Sequence, residues 1–167
     1  MPASQAGKSP QMPTPSPHKA SDEGGKLSNF LCFAVYSANL AFGRAYKPIL
    51  DKLGLTYTQY IAMVALSDAD EQTVGALGEK LFLESNTLTP ILKKLESMGY
   101  IRRQRDPADE RQVRVSLTPA GRNLVEMDPG APLLEATGLG EDFPVVQKTV
   151  ARLRDNLLRA TQPRPKS

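Results

Sequence analysis

Between Ser85 and Met127 the spacing of apolar residues changes twice, and few folds accommodate the order that results. In LFLESNTLTPILKKLESMGYI, Leu88, Ile91, Leu92 and Leu95 recur three or four apart, the spacing of one helix face, and Gly99 is placed to end that helix. Tyr100–Arg105 and Gln112–Leu117 then alternate: Val113, Val115 and Leu117 are apolar, Arg114 and Ser116 polar, and the turn DPADER joins the two strands. Thr118 followed by Pro119 is an N-cap with proline at the first helical position, so a helix restarts at once and runs to about Met127.

Upstream, Leu31, Val35, Ala38, Phe42, Ala45, Ile49 and Leu53 give one apolar face to a long first helix over Leu27–Leu53, bent near Pro48 and ended by Gly54. Thr56 and Gln59 fit a capping box ahead of the apolar Ile61, Met63, Val64 and Leu66. After the acidic turn SDADEQ, Thr73–Lys80 reads as a short helix with Val74, Leu77 and Leu81 inward. Glu84 or Ser85 caps the next helix, whose Pro90 requires either a start near Thr89 or a start near Ser85 with a bend. Apolar spacing that reaches back to Leu88 favours the earlier start. Beyond DPGAP, residues 133–140 form a short helix or loop, and Phe143–Ala160 is amphipathic on Val146, Val150, Leu153 and Leu157. The fold class is therefore mainly α: a winged helix-turn-helix whose N- and C-terminal helices form a dimerisation region.

Length and composition bound the alternatives. With 167 residues, 40% of them hydrophobic, the chain suits one domain of usual size. Residues 1–26, rich in Pro and Ser, read as a disordered leader, 27–160 as the folded domain and 161–167 as a basic tail. Without an apolar run of about 18 residues, or the basic-then-apolar order of a signal peptide, a cytoplasmic protein with no membrane contact is expected. The single histidine, His18, lies in the leader, so neither a His-dependent catalytic base nor a metal site is expected, and no cofactor is called for. The single cysteine, Cys32, excludes an intrachain disulfide and a four-cysteine metal site. Its chemistry, if any, involves an outside molecule or another subunit. As a residue type, a free cysteine usually acts as a small buried hydrophobe.

Charge points to nucleic acid. Lys80–Arg122 carries nine Lys/Arg against five Asp/Glu, whereas Glu23–Glu79 carries six acids against four bases. The basic excess thus falls on the segment that can touch phosphates. A helix fits the DNA major groove, and a basic hairpin beside it reaches phosphates or the adjoining minor groove. The recognition helix is Ser85–Met98, with Ser85, Asn86, Thr87 and Thr89 suited to base edges and Lys93 and Lys94 to phosphates. Arg102, Arg103, Arg105, Arg111 and Arg114 make the wing positive. Arg111 lies near the tip, where a minor-groove contact is easiest, and Asp109 either orients its guanidinium or, with it, simply pins the turn.

The segments LCFAVYSANLAFGRAYKPILDKLGLTYTQYIAMVAL and TVGALGEKLFLESNTLTPILKKLESMGYIRRQRDPADERQVRVSLTPAGR resemble the MarR family of dimeric winged-helix regulators. The strings LTPILKKLE and DERQVRVSLT carry the family likeness. Cys32, Tyr46 and Tyr57 carry a likeness to its organic hydroperoxide repressor (OhrR) branch, one-cysteine type. That resemblance implies that Cys32 is a peroxide-reactive thiol hydrogen-bonded by Tyr46 and Tyr57 of the other subunit, with Tyr36 in the same pocket. Helical rise agrees: residues fourteen apart on one straight helix are separated by about 21 Å, so Cys32 meets a Tyr46 only across a homodimer.

The expected function is a repressor that binds a pseudo-palindromic double-stranded DNA operator and releases it when an organic hydroperoxide oxidises Cys32. Phe30, Leu31, Phe33 and Met63 are candidates for an apolar peroxide pocket. With no second cysteine, the sulfenic acid takes a low-molecular-weight thiol, cyclises with a backbone nitrogen or oxidises further. Three other readings stay open: a MarR-type regulator of a phenolic or other small ligand with an inert cysteine, a thiol peroxidase, and a winged helix used only for protein contacts.

Overall fold

The computed structural model describes residues 26–161. The expected basic tail beyond residue 161, and the expected leader before residue 26 with its His18, lie outside the described residues. The chain divides into two compact units between Ser37 and Ala38.

The first helix, α1, is Leu31–Leu50, followed by a single 3-10 turn over Asp51–Leu53 and by Gly54 at φ +67°. It is shorter than the expected Leu27–Leu53. Residues 26–29 form a turn, with Phe30 N–H donating to the Leu27 carbonyl, and the last three residues tighten into the 3-10 turn ahead of the left-handed glycine. Of the apolar face read from the sequence, none is buried: the only α1 residue out of solvent is Leu50, while Leu31, Val35 and Phe42 are exposed.

In the second unit α2, Tyr57–Asp68, begins with the capping box expected of Thr56 and Gln59. Gln59 N–H donates to Thr56 Oγ1 at 3.3 Å and Thr56 N–H donates to Gln59 Oε1 at 2.8 Å. These reciprocal bonds satisfy two otherwise orphaned donors and fix the first turn. β1, Gln72–Thr73, leads into α3, Val74–Leu81, where Thr73 is the N-cap. Phe82 adopts φ +56° at the turn, and α4 follows over Ser85–Ser97 with Pro90 inside it. The earlier of the two possible starts is therefore the one observed.

The wing consists of β2, Ile101–Arg105, and β3, Val113–Leu117, paired antiparallel from Ile101–Leu117 to Arg105–Val113. It is not a bare hairpin. β1 pairs with β3 through Gln72–Val115 and Thr73–Arg114, giving a three-stranded sheet in the order β1-β3-β2. The sequence reading left β1 within a turn and the start of α3, because a two-residue strand has no alternation to read.

α5, Pro119–Glu126, starts at the Thr118 N-cap, and its Thr118 hydroxyl donates to the Gly99 carbonyl at 2.6 Å, tying the end of the wing to the end of α4. α6 is Ala131–Ala136 and α7 is Phe143–Thr161. The core joins Leu50, Leu55 and Tyr60 to Met63, Leu66, Leu77, Leu88, Leu92, Leu95, Val115 and Leu124. Each large apolar side chain so removed from water contributes roughly 1.5–3 kcal/mol. α7 buries no residue, and its apolar Val146, Val150 and Leu157 remain exposed. Among the described residues no helix is long and apolar enough to cross a membrane.

Candidate functional site

α4 directs two sets of side chains in opposite directions. Leu88, Leu92 and Leu95 are fully buried, which leaves Ser85, Asn86, Thr87, Lys93 and Lys94 in solvent. Packing thus presents a polar face of the composition that sequence reasoning assigned to base edges and phosphates. Thr89 differs from the rest: it is half-buried and its hydroxyl donates to the Ser85 carbonyl at 2.6 Å, an internal bond of the helix.

The arginines of the wing separate into two kinds. Arg102 and Arg105 are exposed, and Arg111 has 92% of its side chain in solvent. Arg111 Nε donates to Asp109 Oδ1 at 3.2 Å, and the same oxygen accepts from the Arg111 backbone N–H at 3.1 Å. Asp109 therefore both closes the turn and holds the base of the guanidinium, leaving most of that group free. Gln112, ahead of the Arg111 contacts, and then Arg111 itself hold the Asp109 carboxyl below the usual carboxylate range.

Arg103 and Arg114 are instead tied into the fold. Arg103 donates twice to Glu96 Oε2 of α4, at 2.8 and 2.7 Å, and lowers the Glu96 carboxyl's pKa. Arg114 donates to Asp106 Oδ2 at 2.7 Å and to the Glu71 carbonyl at 3.1 Å. Asp106 is buried, and the Ala108 N–H, then Arg114, hold its carboxyl below the ordinary value. Its role was missed in the sequence, although an Asp-Pro opening a turn is the signal of a side chain that caps the next backbone N–H.

Around the candidate thiol each unit stands by itself. In the first, Cys32 lies in the first turn of α1, is exposed, and is the only free cysteine. Tyr36 is 58% exposed, with its ring centroid 6.4 Å from that of Phe33. Phe30, Leu31 and Phe33 are exposed. Met63 is not a pocket wall: at 0% exposure it belongs to the core, because its α2 position faces α3 and α4.

In the second unit, Tyr46, Tyr57 and Tyr60 form a cluster, with ring centroids of Tyr46 4.9 Å from Tyr57 and 6.0 Å from Tyr60. Burial, then the neighbouring Tyr57 and Asp128, push the Tyr46 phenol above its ordinary value of 10.0. It remains a protonated hydrogen-bond donor well into alkaline solution. Tyr60, read as core in the sequence, is 5% exposed. Beside Tyr57 opens a hollow of about 230 Å³ bounded by Gly43, Lys47, Leu50, Asp51, Leu55 and Thr56. No group of three or more metal-ligating side chains occurs among the described residues.

Residues 44–127 match the family model described as transcriptional regulator SarA/Rot. The chain is 42% identical over 135 residues to the organic hydroperoxide resistance transcriptional regulator of Bacillus subtilis (strain 168), covering 79% of this chain and 92% of that one. It is 50% identical over 103 residues to the HTH-type transcriptional regulator TtmR of Methylorubrum extorquens (strain PA1), which spans 62% of this chain and 53% of that relative. Among solved structures, reduced AbfR bound to DNA is 33% identical with a TM-score of 0.68, covering 80% of this chain and 95% of that one.

Proposed function

The chain belongs to the MarR family of winged-helix transcriptional regulators, in its organic hydroperoxide repressor branch, and on that premise we propose that oxidation of Cys32 by an organic hydroperoxide controls its hold on DNA. It is a DNA-binding transcriptional regulator and not an enzyme. The observation that carries the redox reading is the Tyr46–Tyr57 pair, ring centroids 4.9 Å apart and tilted by 45°, at the two positions where the OhrR resemblance calls for phenol donors.

The regulator works as a homodimer. Leu31, Phe33, Val35, Leu40 and Phe42 on α1, with Val146, Val150 and Leu157 on α7, are apolar and exposed in one chain, and a second copy covers them. Cys32 of one protomer then faces Tyr46 and Tyr57 of its partner. Two recognition helices engage half-sites about 34 Å apart on one face of a pseudo-palindromic operator. Ser85, Asn86 and Thr87 read base edges, Lys93, Lys94 and Arg105 hold phosphates, and Arg111 enters the minor groove. Thr89 and Arg114 hold the helix and the wing in shape, which makes their contribution to DNA binding indirect.

In the sensing step the Cys32 thiolate attacks the terminal oxygen of the hydroperoxide. An S–O bond forms, the O–O bond breaks, and the alkoxide leaves as the alcohol after taking a proton from solvent. The sulfenic acid condenses with a low-molecular-weight thiol to a mixed disulfide, releasing water. The added bulk at the two-fold seam separates Tyr46 and Tyr57 from the sulfur and respaces the recognition helices.

The hollow beside Tyr57 favours one other reading, a small phenolic ligand seated against Lys47 with Cys32 inert. A gel-shift titration with cumene hydroperoxide decides between them. Native protein releases operator and Cys32→Ser protein stays bound under thiol sensing, whereas equal release of both excludes it.

A further inference from the structure

We propose that Tyr60, Asp128 and Gly130 form a clamp that positions the Tyr46 phenol against the joint between α5 and α6. The inference rests on Tyr46 being part of the peroxide-sensing site and adds the residues that hold it there.

The joint is a tightly bonded turn. Asp128 adopts φ +40°, its N–H donates to the Val125 carbonyl at 3.0 Å, and its own carbonyl accepts from Ala131 N–H at 3.0 Å. A non-glycine residue holds that backbone region only when its surroundings fix it. Here those two backbone bonds close the turn. Tyr60 is 5% exposed, and burial, then the Asp128 carboxylate, raise the pKa of its phenol.

Gly130 shows what the turn is shaped around. Its φ of −87° is open to any residue, so backbone freedom does not explain a glycine there. A Cβ at Gly130 would lie 2.6 Å from Tyr46 Oη and 3.0 Å from Cε1. The glycine is the space that the Tyr46 hydroxyl occupies. The Tyr60 ring centroid lies 6.0 Å from that of Tyr46. Burial is the largest influence against ionisation of both phenols, and the Asp128 carboxylate adds to it. The Tyr60 ring and the Gly130 backbone thus lie against Tyr46, and the Asp128 carboxylate is close enough to act on its phenol. None of the three need touch peroxide; they act through Tyr46.

Two measurements test the clamp separately from the redox reading. The first is phenol titration, followed by phenolate absorbance, in native protein and in Asp128→Asn. The clamp predicts that the high-pH transition assigned to Tyr46, by its loss in Tyr46→Phe, moves to lower pH in Asp128→Asn; an unmoved transition overturns it. The second is the rate of Cys32 oxidation by cumene hydroperoxide in Gly130→Ala and Tyr60→Phe. Both should slow it severalfold, and Gly130→Ala added to Tyr46→Phe should slow it no further. Native rates in both single variants, or a full further loss in the double variant, overturn the clamp. If native Cys32 is not oxidised at all, the sensing function fails, and the titration still decides whether Asp128 faces Tyr46. Should Gly130→Ala not fold, Tyr60→Phe, which keeps its ring, gives the kinetic answer.

Discussion

Arg114 and Asp106 close the base of the wing, Nε to Oδ2 at 2.7 Å, with Asp106 5% exposed and the guanidinium reaching on to the Glu71 carbonyl at 3.1 Å. Arg111, on the same wing, points into solvent with 92% of its side chain free. The two arginines therefore respond differently to truncation. Arg111→Ala should weaken operator binding by about tenfold and reduce the slope of log affinity against log salt by about one, with little effect on melting. Arg114→Ala should lower the melting temperature and weaken DNA binding through a loosened wing. Titrations at several salt concentrations, with thermal melts alongside, check the pair; unchanged binding in Arg111→Ala would remove that residue from the interface.

Acid should loosen the wing before the core. Hydrogen bonds and the arginines hold the Glu96, Asp106 and Asp109 carboxyls below their ordinary values of 4.5, 3.8 and 3.8. A lowered folded-state pKa contributes stability that is complete above the unfolded value and is lost as pH falls through the folded one. Amide exchange in β2 and β3 should therefore accelerate below about pH 4 ahead of exchange in α2, since α2 lies in the apolar core. Uniform acceleration across both would show that these ion pairs do not anchor the wing.

Gly121 in α5 sits against the Tyr100 carbonyl, so closely that an added Cβ has no space, and that Cβ would also lie 3.2 Å from Leu117 Cδ2. Because the obstacle is backbone, it cannot rotate aside. Gly121→Ala should cost about 2 kcal/mol by overpacking, measured by urea denaturation, while Gly43→Ala, where nothing lies within 4 Å, should cost far less. Equal effects at the two positions would contradict the close approach of α5 to the wing.

Tyr46→Phe and Tyr57→Phe should retain the fold and slow Cys32 oxidation by about tenfold each, the effect of losing one hydrogen bond to a charged sulfur. Wild-type rates in both variants would withdraw the phenols from the sensing site.

The elements were legible where a local rule dictates them. The Thr56–Gln59 capping box, the Thr118-Pro119 helix start and the alternation of Val113, Val115 and Leu117 each fix one element from neighbours in sequence, and each is found. What was not legible depends on partners distant in sequence. β1 exists because Gln72 and Thr73 lie beside Val115 and Arg114, and Met63 belongs to the core because α3 and α4 enclose it. Within the candidate site, the polar face of α4 followed from its apolar spacing. The division of labour between Arg111 and Arg114 did not, since only the fold brings Asp106 and Glu71 to one of them. Asp128 and Gly130 escaped for the same reason: DPGAP reads as a chain break, and its fit to Tyr46 appears only in three dimensions.

The most direct test is mass spectrometry of Cys32 in samples taken through a peroxide titration, with operator occupancy measured on the same samples. With stoichiometric cumene hydroperoxide and a small thiol, loss of occupancy should rise in proportion to the fraction of Cys32 found as sulfenic acid or mixed disulfide, and a reductant should reverse both. Operator release while Cys32 remains a free thiol, or full modification of Cys32 with the operator still bound, would contradict the account.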